Sequence, residues 1–376
     1  MKTTLIAAVF SVVALLSSCG GKADKTGDSI PGDTLTSRAE LLTLIERGGY
    51  VAAIVADPWN PGKRLASYAL VPRGTDVPAE IPEGFQIVEV PLQRSVVYSS
   101  TNTAALAELS VLDAVAAVAD GNYYTPADTV ARLIASGHIT DIGNSMSPKL
   151  ETLIEVSPDA ILSSPYENAG HGVLDALKVP VIECADYMES TPLGRAEWIL
   201  FLGHLYGKAA PAGEIYSRVV SDYSSLTVSV ALYATRQPKV LTETLTSGVW
   251  YVPGGKSYMA RMLADAGANY PWSDDSSSGS LQLDAAAVID KASDADIWLM
   301  RISGAPTYES LRDSSPLYSG IKAYADGEIY NCDPSASTFF SDIAFHPERI
   351  LRDYVAIFHP EAGSGLEPIY YHKLKR

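Results

Sequence analysis

The residues best suited to binding chemistry in this sequence are aromatic and polar side chains that follow predicted strands. Tyrosine offers a broad apolar face with a hydrogen-bonding tip, and the chain has 21 tyrosines against 7 phenylalanines. Lysine and arginine can neutralise an anionic ligand. In open α/β sheets, ligands bind beyond the carboxyl ends of the strands. We therefore predict a site for a large, flat, partly polar ligand, formed by Tyr98, Thr101, Asn102, Tyr124, Tyr166, Tyr187, Trp250, Tyr251, Lys256, Tyr258 and Arg301.

The sequence lacks the motifs that are typical of enzymes. It contains no Gly-x-Ser-x-Gly, no Walker loop and no His-Glu-x-x-His, and Gly254-Gly255-Lys256 lacks the spacer of a phosphate loop. We expect no catalytic site, no bound metal and no cofactor. A metal site that gathers His138, His171, His204 and His346 in space is an alternative. An extracytoplasmic enzyme is another. The histidines are scattered along the chain at His138, His171, His204, His346, His359 and His372.

The amino terminus has the features of a targeting segment. Lys2 supplies a positive charge, and the apolar core from Leu5 to Leu16 is too short to span a bilayer. The segment ends in Leu-Ser-Ser-Cys, which resembles the lipobox of bacterial lipoproteins. This resemblance implies that residues 1–18 are a lipoprotein signal peptide and that Cys19 is lipidated. An ordinary secretory peptide with an incidental cysteine is the alternative. Residues 19–35 are rich in Gly, Lys, Asp and Thr, which predicts a flexible tether.

The rest of the chain is long enough for two domains, each with its own core. Strands and helices alternate along it, which predicts an α/β fold with largely parallel sheets. The net charge of −16 argues against a nucleic-acid partner. We expect a hairpin over 50–72, an N-terminal α/β lobe at 36–190, connecting helices at 191–230, a C-terminal α/β lobe at 231–362 and a tail at 363–376.

The connecting stretch carries clear helix signals. Thr191 is a candidate N-cap, and Pro192 suits the first helical position. A second helix is expected from Ala210 or Pro211 to Leu226, because apolar residues recur there at helical spacing. A break near Pro211 would leave only this second helix as the link between the lobes. Its apolar face consists of Ile215, Val219, Tyr223 and Leu226.

Two segments of the chain, 150–186 and 284–333, repeat a weak pattern. Each has a short helix and an apolar strand, followed by a second strand that ends in Cys and Asp. Cys184 and Cys332 occupy matching places in this pattern. We therefore expect them in different lobes as separate buried thiols, although a disulfide in an oxidising compartment is the alternative.

Four stretches carry a resemblance to a known family: ESTPLGRAEW at 189–198, VWYVPGGKSY at 249–258, DAGANY at 265–270 and DADIW at 294–298. From about Pro91 to Glu361, the chain resembles the class III substrate-binding proteins of bacterial ABC importers, which serve cobalamin, ferric siderophores and haem. The resemblance implies two α/β lobes joined by one long helix, with the ligand in the cleft between them. It also implies a monomer, lipid-anchored on the periplasmic side of the cell envelope. Its partners would be a permease and its ATPase in the inner membrane.

The resemblance further implies an acidic residue on each lobe that docks on the permease. Glu151 matches this position in the first lobe. In the second lobe, alanines at 285–287 stand where a glutamate is expected, and only Asp284 is near. A charge that stabilises a helix N-terminus is the alternative role for both acids. Residues 339–346 (FFSDIAFH) are also more apolar than the cleft segment expected there, so the ligand chemistry is expected to differ from that of near relatives.

The leading hypothesis is capture of an iron chelate, a ferric siderophore or haem, for delivery to the permease without catalysis. Cobalamin is the closest alternative, because a corrinoid also suits aromatic walls. A divalent-metal receptor is less favoured, since it needs three or four inward histidine or carboxylate ligands.

Overall fold

The computed structural model describes residues 30–124, 128–363 and 365–376. The predicted signal peptide, Cys19 and most of the predicted tether lie outside these residues. No helix within them is both long and apolar enough to cross a membrane.

A five-stranded sheet begins the described chain and consists of β1 (Asp33–Thr34), β2 (Leu42–Arg47), β3 (Tyr50–Ala56), β4 (Arg64–Pro72) and β5 (Gln86–Val90). Neighbouring strands are antiparallel, except that β5 runs parallel to β4. The predicted hairpin is confirmed, because Val51 of β3 pairs with Leu70 of β4. The tether prediction is wrong at its end, because Thr34 of β1 pairs with Ile45 of β2.

Both faces of this sheet are covered by other parts of the chain. Successive side chains of a strand point to opposite faces, and those of β2 enter two different apolar clusters. Leu44 of β2 packs in the core of the N-terminal lobe. The next residue, Ile45, packs in a smaller cluster that includes Ile54 and is covered by Ile81 and Phe85. The sheet is therefore an integral layer of the N-terminal lobe.

The second sheet of the N-terminal lobe alternates with helices, as predicted. Its elements are β6 (Ser95–Val97), α1 (Ser100–Glu108), β7 (Val115–Val118), α2 (Thr129–Ala135), β8 (Thr140–Asp141), α3 (Leu150–Val156), β9 (Ala160–Ser163) and β10 (Val181–Glu183). The strand order is β10-β9-β6-β7-β8, and every pair is parallel. From β6 the next strands, β7 and β8, are added on one side, whereas β9 and β10 are added on the other side of β6. Parallel α/β sheets form a ligand crevice at such a switch in strand order.

Three helices connect the lobes: α4 (Pro192–Ala196), α5 (Trp198–Leu205) and α6 (Ala209–Tyr233). The 25 residues of α6 span about 38 Å at 1.5 Å per residue. The chain breaks before α6, at Gly207 with φ +67, and not at Pro211. Pro211 lies in the first turn of α6, where a backbone N–H has no helical partner to lose. Helix α6 ends at Tyr233, about two turns beyond the predicted end at Leu226.

Helix α6 belongs to both cores. Ile215 and Val219 of its first half pack in the N-terminal core, whereas Tyr223 and Val230 of its second half pack in the C-terminal core. The helix is therefore a shared structural element and not an exposed linker.

The C-terminal lobe contains two sheets. Its elements are β11 (Val240–Thr242), β12 (Leu245–Thr246), β13 (Val249–Pro253), α7 (Tyr258–Asp265), β14 (Ser280–Leu283), α8 (Ala285–Ala292), β15 (Ile297–Arg301), α9 (Tyr308–Ser314), α10 (Lys322–Asp326), β16 (Ile329–Cys332), α11 (Phe339–Asp342), α12 (Pro347–Phe358) and β17 (Tyr371–Lys373). One sheet has the order β11-β15-β16-β17, with β17 antiparallel to β16 and the other pairs parallel. The other is an antiparallel sheet in the order β12-β13-β14. The prediction of a separate tail is corrected, because β17 completes the larger sheet.

The weak sequence repeat corresponds to a repeated pair of parallel strands. Strands β9 and β10 are neighbours in the first lobe, and β15 and β16 are neighbours in the second. Cys184 directly follows β10, Cys332 ends β16, and both thiols are free and buried. This confirms the prediction of two separate thiols.

Candidate functional site

A cavity of about 650 Å³ lies between the two lobes. Part of its wall lies at or just after the carboxyl ends of the parallel strands β6, β7 and β10 in one lobe, and β11 and β15 in the other. The rest of the second lobe's wall comes from β12, β13, α7, α11 and residues 278–280. Arg195 of α4, between the lobes, also lines it. This is the position that parallel sheets offer for ligands, and we call it the cleft.

The wall from the N-terminal lobe is uncharged. Thr101 lies in the first turn of α1, and its hydroxyl is 2.7 Å from that of Ser99. The Tyr187 hydroxyl donates a hydrogen bond to the carbonyl of Pro165, and burial raises the pKa of Tyr187 to about 12. Tyr123 is 73% exposed, so its ring is available to a ligand.

Arg195 reaches the cleft from a helix whose start was predicted. The Thr191 side chain accepts a hydrogen bond from Gly194 N, and Pro192 is the first residue of α4. The Arg195 Nε atom donates to Asp186 Oδ2 at 3.1 Å, and the guanidinium lies 4.7 Å from the centre of the Tyr258 ring. Burial alone would lower the pKa of Arg195, but Tyr258 and Asp186 raise it above its ordinary value.

Arg301 is the second arginine of the cleft, at the end of β15. Its guanidinium donates to the carboxylate of Glu243 and lies 5.1 Å from the ring centre of Phe339. Burial opposes the charge of Arg301, but Glu243 outweighs burial, so its pKa is raised above the ordinary value. We expected this residue to neutralise an anionic ligand, whereas Glu243 already neutralises it.

The Pro-Gly-Gly-Lys turn explains why the second lobe presents serines to the cleft. A Cβ atom on Gly254 would lie 2.4 Å from the Ser277 carbonyl, and one on Gly255 would lie 2.5 Å from the Trp272 carbonyl. The glycines therefore let the 273–279 loop pack directly on the turn, where Gly254 N donates to Gly279 O at 2.8 Å. This packing brings residues 278–280 into the cleft wall.

Several predicted binding residues meet in the cleft and others lie elsewhere. The cleft is lined by Thr101, Tyr187, Tyr251, Tyr258 and Arg301. Trp250 is completely buried and donates from Nε1 to Thr242 O at 2.9 Å, so it is a core residue. Asn102 and Tyr124 are also buried within the N-terminal lobe. Lys256 is exposed, and it is not among the lining residues of the cleft.

Tyr98 and Tyr166 line a different cavity, of about 380 Å³, inside the N-terminal lobe. Glu183 also lines it, and one oxygen of that carboxylate is buried without a hydrogen-bond partner in the described part of the chain. The Tyr98 hydroxyl is also buried without a hydrogen-bond partner among the described residues. The two tyrosines therefore do not meet the predicted ligand in the cleft.

Four residues that line the cleft are not among the predicted binding residues: Tyr123, Arg195, Glu243 and Phe340. Tyr123 directly precedes the selected Tyr124, and Arg195 lies in the ESTPLGRAEW stretch. Phe340 belongs to the segment whose apolar character was noted. Glu243 gave no signal, because its role depends on a strand end brought close to Arg301 only by the fold.

The glutamates of the ESTPLGRAEW stretch hold the chain and not a ligand. Glu197 accepts hydrogen bonds from the backbone nitrogens of residues 37–39, at 2.7–3.0 Å. Glu189 accepts from Glu40 N, Leu41 N and Trp198 Nε1, each at 2.9 Å. Both side chains are buried, so the pair anchors the segment before β2 to the connecting helices.

The two predicted docking acids are exposed at the starts of helices. Glu151 lies in the first turn of α3, in the N-terminal lobe. Asp284 is the N-cap of α8, in the C-terminal lobe, where its Oδ1 accepts from Ala287 N at 2.8 Å. The alternative role, a charge that stabilises a helix N-terminus, is compatible with both positions.

The histidines do not form a metal site in the described chain. Within residues 30–124, 128–363 and 365–376, no three His, Cys, Asp or Glu side chains are arranged to hold a metal ion. His346 instead lies between two carboxylates, with Nε2 2.7 Å from Glu108 and Nδ1 2.9 Å from Glu348.

Comparisons with known proteins agree on one family. A family model described as "Periplasmic binding protein" matches residues 96–336. An uncharacterised lipoprotein of Methanocaldococcus jannaschii is 25% identical over 304 residues, which cover 78% of this chain and 72% of that protein.

Two solved structures share the fold at low identity. The periplasmic haem-binding protein from Pseudomonas aeruginosa has a TM-score of 0.56 and 16% identity, covering 76% of this chain and 98% of that one. The triscatecholate siderophore binding protein FeuA from Bacillus subtilis has a TM-score of 0.56 and 18% identity, covering 73% and 95%.

Proposed function

The chain belongs to the periplasmic binding protein family, and we propose that it captures an iron chelate, either a ferric siderophore or haem, and delivers it to the permease of an ABC importer. Members of this family are non-enzymatic components of ABC-type transport. The observation that carries the proposal is the cavity of about 650 Å³ between the lobes, with tyrosines on both of its walls.

The size and the walls of the cleft suit such a ligand. Pockets of roughly 300–1,000 Å³ hold drug-sized molecules, and they are mostly apolar with a few oriented polar groups. Tyr187, Tyr251 and Tyr258 provide this combination of apolar face and polar tip. Two proteins of the same fold, one that binds haem and one that binds a triscatecholate siderophore, show that the fold accommodates iron chelates.

Cobalamin is the second candidate ligand, and a specific observation favours it. Exposed aromatic rings of Tyr123, Tyr251 and Phe340 line the cleft. A broad corrinoid could lie against such rings without needing a free cation.

We further propose that the protein is a monomer attached by lipidated Cys19 to the membrane, on the periplasmic side of the cell envelope. The lipoprotein name of the M. jannaschii relative supports this placement. The partners would be a permease and its ATPase in the inner membrane, contacted through Glu151 and Asp284.

The experiment that tests the function is a binding panel read by absorption spectroscopy. Purified protein is incubated with haem, cyanocobalamin or coloured ferric siderophores and is then desalted. We expect one class to stay bound, giving a Soret band, a corrin band or a ferric charge-transfer band in the protein fraction. Retention of none of them would reject the proposed function, and retention of cobalamin alone would replace the iron chelate by the second candidate.

A further inference from the structure

Glu243 occupies the hydrogen-bonding edge of the Arg301 guanidinium. Nη2 of the arginine contacts Oε1, and Nε lies 3.4 Å from Oε2, so the two groups meet through both oxygens. The aromatic rings of Phe339 and Phe340 lie 5.1 Å and 5.7 Å from the guanidinium carbon. With 19% of the arginine side chain and 21% of the glutamate side chain exposed, the pair is held within the cleft wall.

The backbone fixes Glu243 in this position. Its φ of +64 lies in the left-handed region, which costs free energy for a residue other than glycine and is kept only where the surroundings impose it. The Glu243 N–H donates to Leu299 O at 2.8 Å, and the Glu243 carbonyl accepts from Trp298 Nε1 at 2.8 Å. Both partners belong to β15, so the strand that ends in Arg301 also holds its counter-charge.

The second arginine of the cleft is neutralised in the same way. Arg195 is 5% exposed and its partner Asp186 is 3% exposed, and Tyr258 covers the guanidinium face. A buried pair of this kind resists separation, because removing one partner leaves an uncompensated charge in a medium of low dielectric.

The remaining described residues that line the cleft are uncharged. The two arginines and the two acids therefore cancel, and no free cation lines the cleft within the described chain. The whole protein has a net charge of −16, which repels polyanions at long range. A polyanionic ligand would meet this repulsion and would also have to compete with Glu243 for Arg301.

We propose, building on the proposed function, that the cleft selects a metal chelate or corrinoid of little or no net charge, and that Glu243 is the residue that disfavours strongly negative ones. The uncharged ligand leaves both ion pairs intact and binds through the tyrosine faces and hydroxyls. Glu243 is thus a specificity-determining residue, since it controls whether Arg301 is available to an anion.

Matched probes test this inference in the wild-type protein. Binding of an uncharged ferric trihydroxamate, an uncharged cyanocobalamin and a strongly negative ferric tris-catecholate is measured by quenching of the intrinsic fluorescence. We expect an uncharged probe to bind about 100-fold more tightly than the negative one, equivalent to two factors of ten in Kd. Added salt should reduce this difference, because salt screens the repulsion of the anion.

A variant then assigns the selection to Glu243. Glu243→Gln keeps the side-chain size and removes its charge, so Arg301 becomes available to the anion. The ratio of the two affinities should shift about 10-fold towards the tris-catecholate complex. Glu309→Gln removes the same charge from an acid with 78% of its side chain exposed and should leave the ratio unchanged. Circular dichroism establishes that both variants are folded.

The possible outcomes separate the inference from the function on which it rests. If no probe binds, the inference fails, and the proposed function then depends on retention of haem in the spectroscopic panel. If wild-type protein binds the tris-catecholate complex as tightly as the uncharged probes, the function stands and the inference is overturned. If wild-type protein discriminates but Glu243→Gln keeps the same ratio, the role of Glu243 is rejected. The wild-type comparison stands even if the variant does not fold.

Discussion

Single buried carboxylates do much of the positioning in this protein, and they act on the backbone. Glu197 is almost fully buried and binds successive backbone N–H groups of residues 37–39. Such groups need partners, since an unpartnered buried N–H costs the full desolvation penalty. The ESTPLGRAEW stretch at 189–198 is therefore mainly a scaffold, and only Arg195 within it lines the cleft.

The first residue-scale prediction concerns this anchor. Glu197→Ala removes the acceptor of several buried N–H groups and leaves a cavity. We expect a loss of about 3 kcal/mol or more in the free energy of unfolding, measured by urea denaturation. Glu155→Ala, at an exposed site on α3, should change stability by less than about 0.5 kcal/mol. Equal stability of the two variants would show that water or other groups replace Glu197.

At the residue scale, the sequence predicts which residue types form the site better than it predicts which way each side chain points. Trp250 and Tyr251 are neighbours on β13, and successive side chains of a strand point to opposite faces. Only one of them can face the cleft, and the register that decides this is set by pairing with β14, where Tyr251 stands opposite Gln282. Thr101 and Asn102 are likewise neighbours, on helix α1, and their side chains point in different directions. Only Thr101 lines the cleft, whereas Asn102 is buried.

At the scale of elements, the sequence pattern predicted the hairpin and the alternation of strands and helices, and the errors have identifiable causes. Helix α6 extends past Leu226 because its second half packs in the other lobe, which no local pattern encodes. Strand β17 has three residues and exists because β16 offers it an open edge. Long-range pairing of this kind lies outside what a single stretch of sequence can predict.

The elements α1 and α12 meet across the two lobes through His346. Glu108 ends α1, while His346 directly precedes α12 and Glu348 lies in its first turn. Burial alone would lower the pKa of His346, but hydrogen bonds to the two glutamates raise it to about 9. The imidazolium can then donate from both nitrogens, while Arg349 opposes its charge and pairs with Asp342.

This contact predicts a pH-dependent stability. The pKa of His346 is higher in the folded state than the ordinary value of about 6.5, so its stabilisation is fully present below about pH 6.5 and is lost as pH rises through about 9. The loss is on the order of 2–3 kcal/mol. Urea denaturation at about pH 6 and about pH 10 should show this loss in wild-type protein and a smaller one in His346→Asn.

An exposed histidine provides the matched control for this experiment. His138 lies at the surface, with Nδ1 2.8 Å from the Ser136 hydroxyl. His138→Asn should retain the full pH dependence of the wild type, because no carboxylate of the described residues pairs with His138. If His346→Asn and His138→Asn lose stability equally between the two pH values, the contact does not contribute to the pH dependence.

At the scale of the whole molecule, one helix is shared by the two lobes. Both halves of α6 are buried in the cores of different lobes, and Glu108 and His346 tie the lobes together beside it. The distance between Glu151 on one lobe and Asp284 on the other is therefore set by the fold. We propose that the two acids act as a bivalent docking surface, in which the second contact forms at high effective concentration.

Charge removal at either acid should therefore weaken docking and leave ligand binding intact. We expect Glu151→Ala to keep the Kd for the chelate within about 2-fold and to reduce stimulation of the permease–ATPase complex about 10-fold. The measurement is ATP hydrolysis in proteoliposomes that contain the importer. Glu155→Ala, one turn further along α3, removes the same charge and should leave stimulation unchanged.

Asp284→Asn keeps an N-cap acceptor but removes the charge, so it separates docking from capping. Full stimulation by Asp284→Asn would restrict docking to the first lobe, and loss of ligand affinity in Glu151→Ala would place Glu151 at the binding site instead.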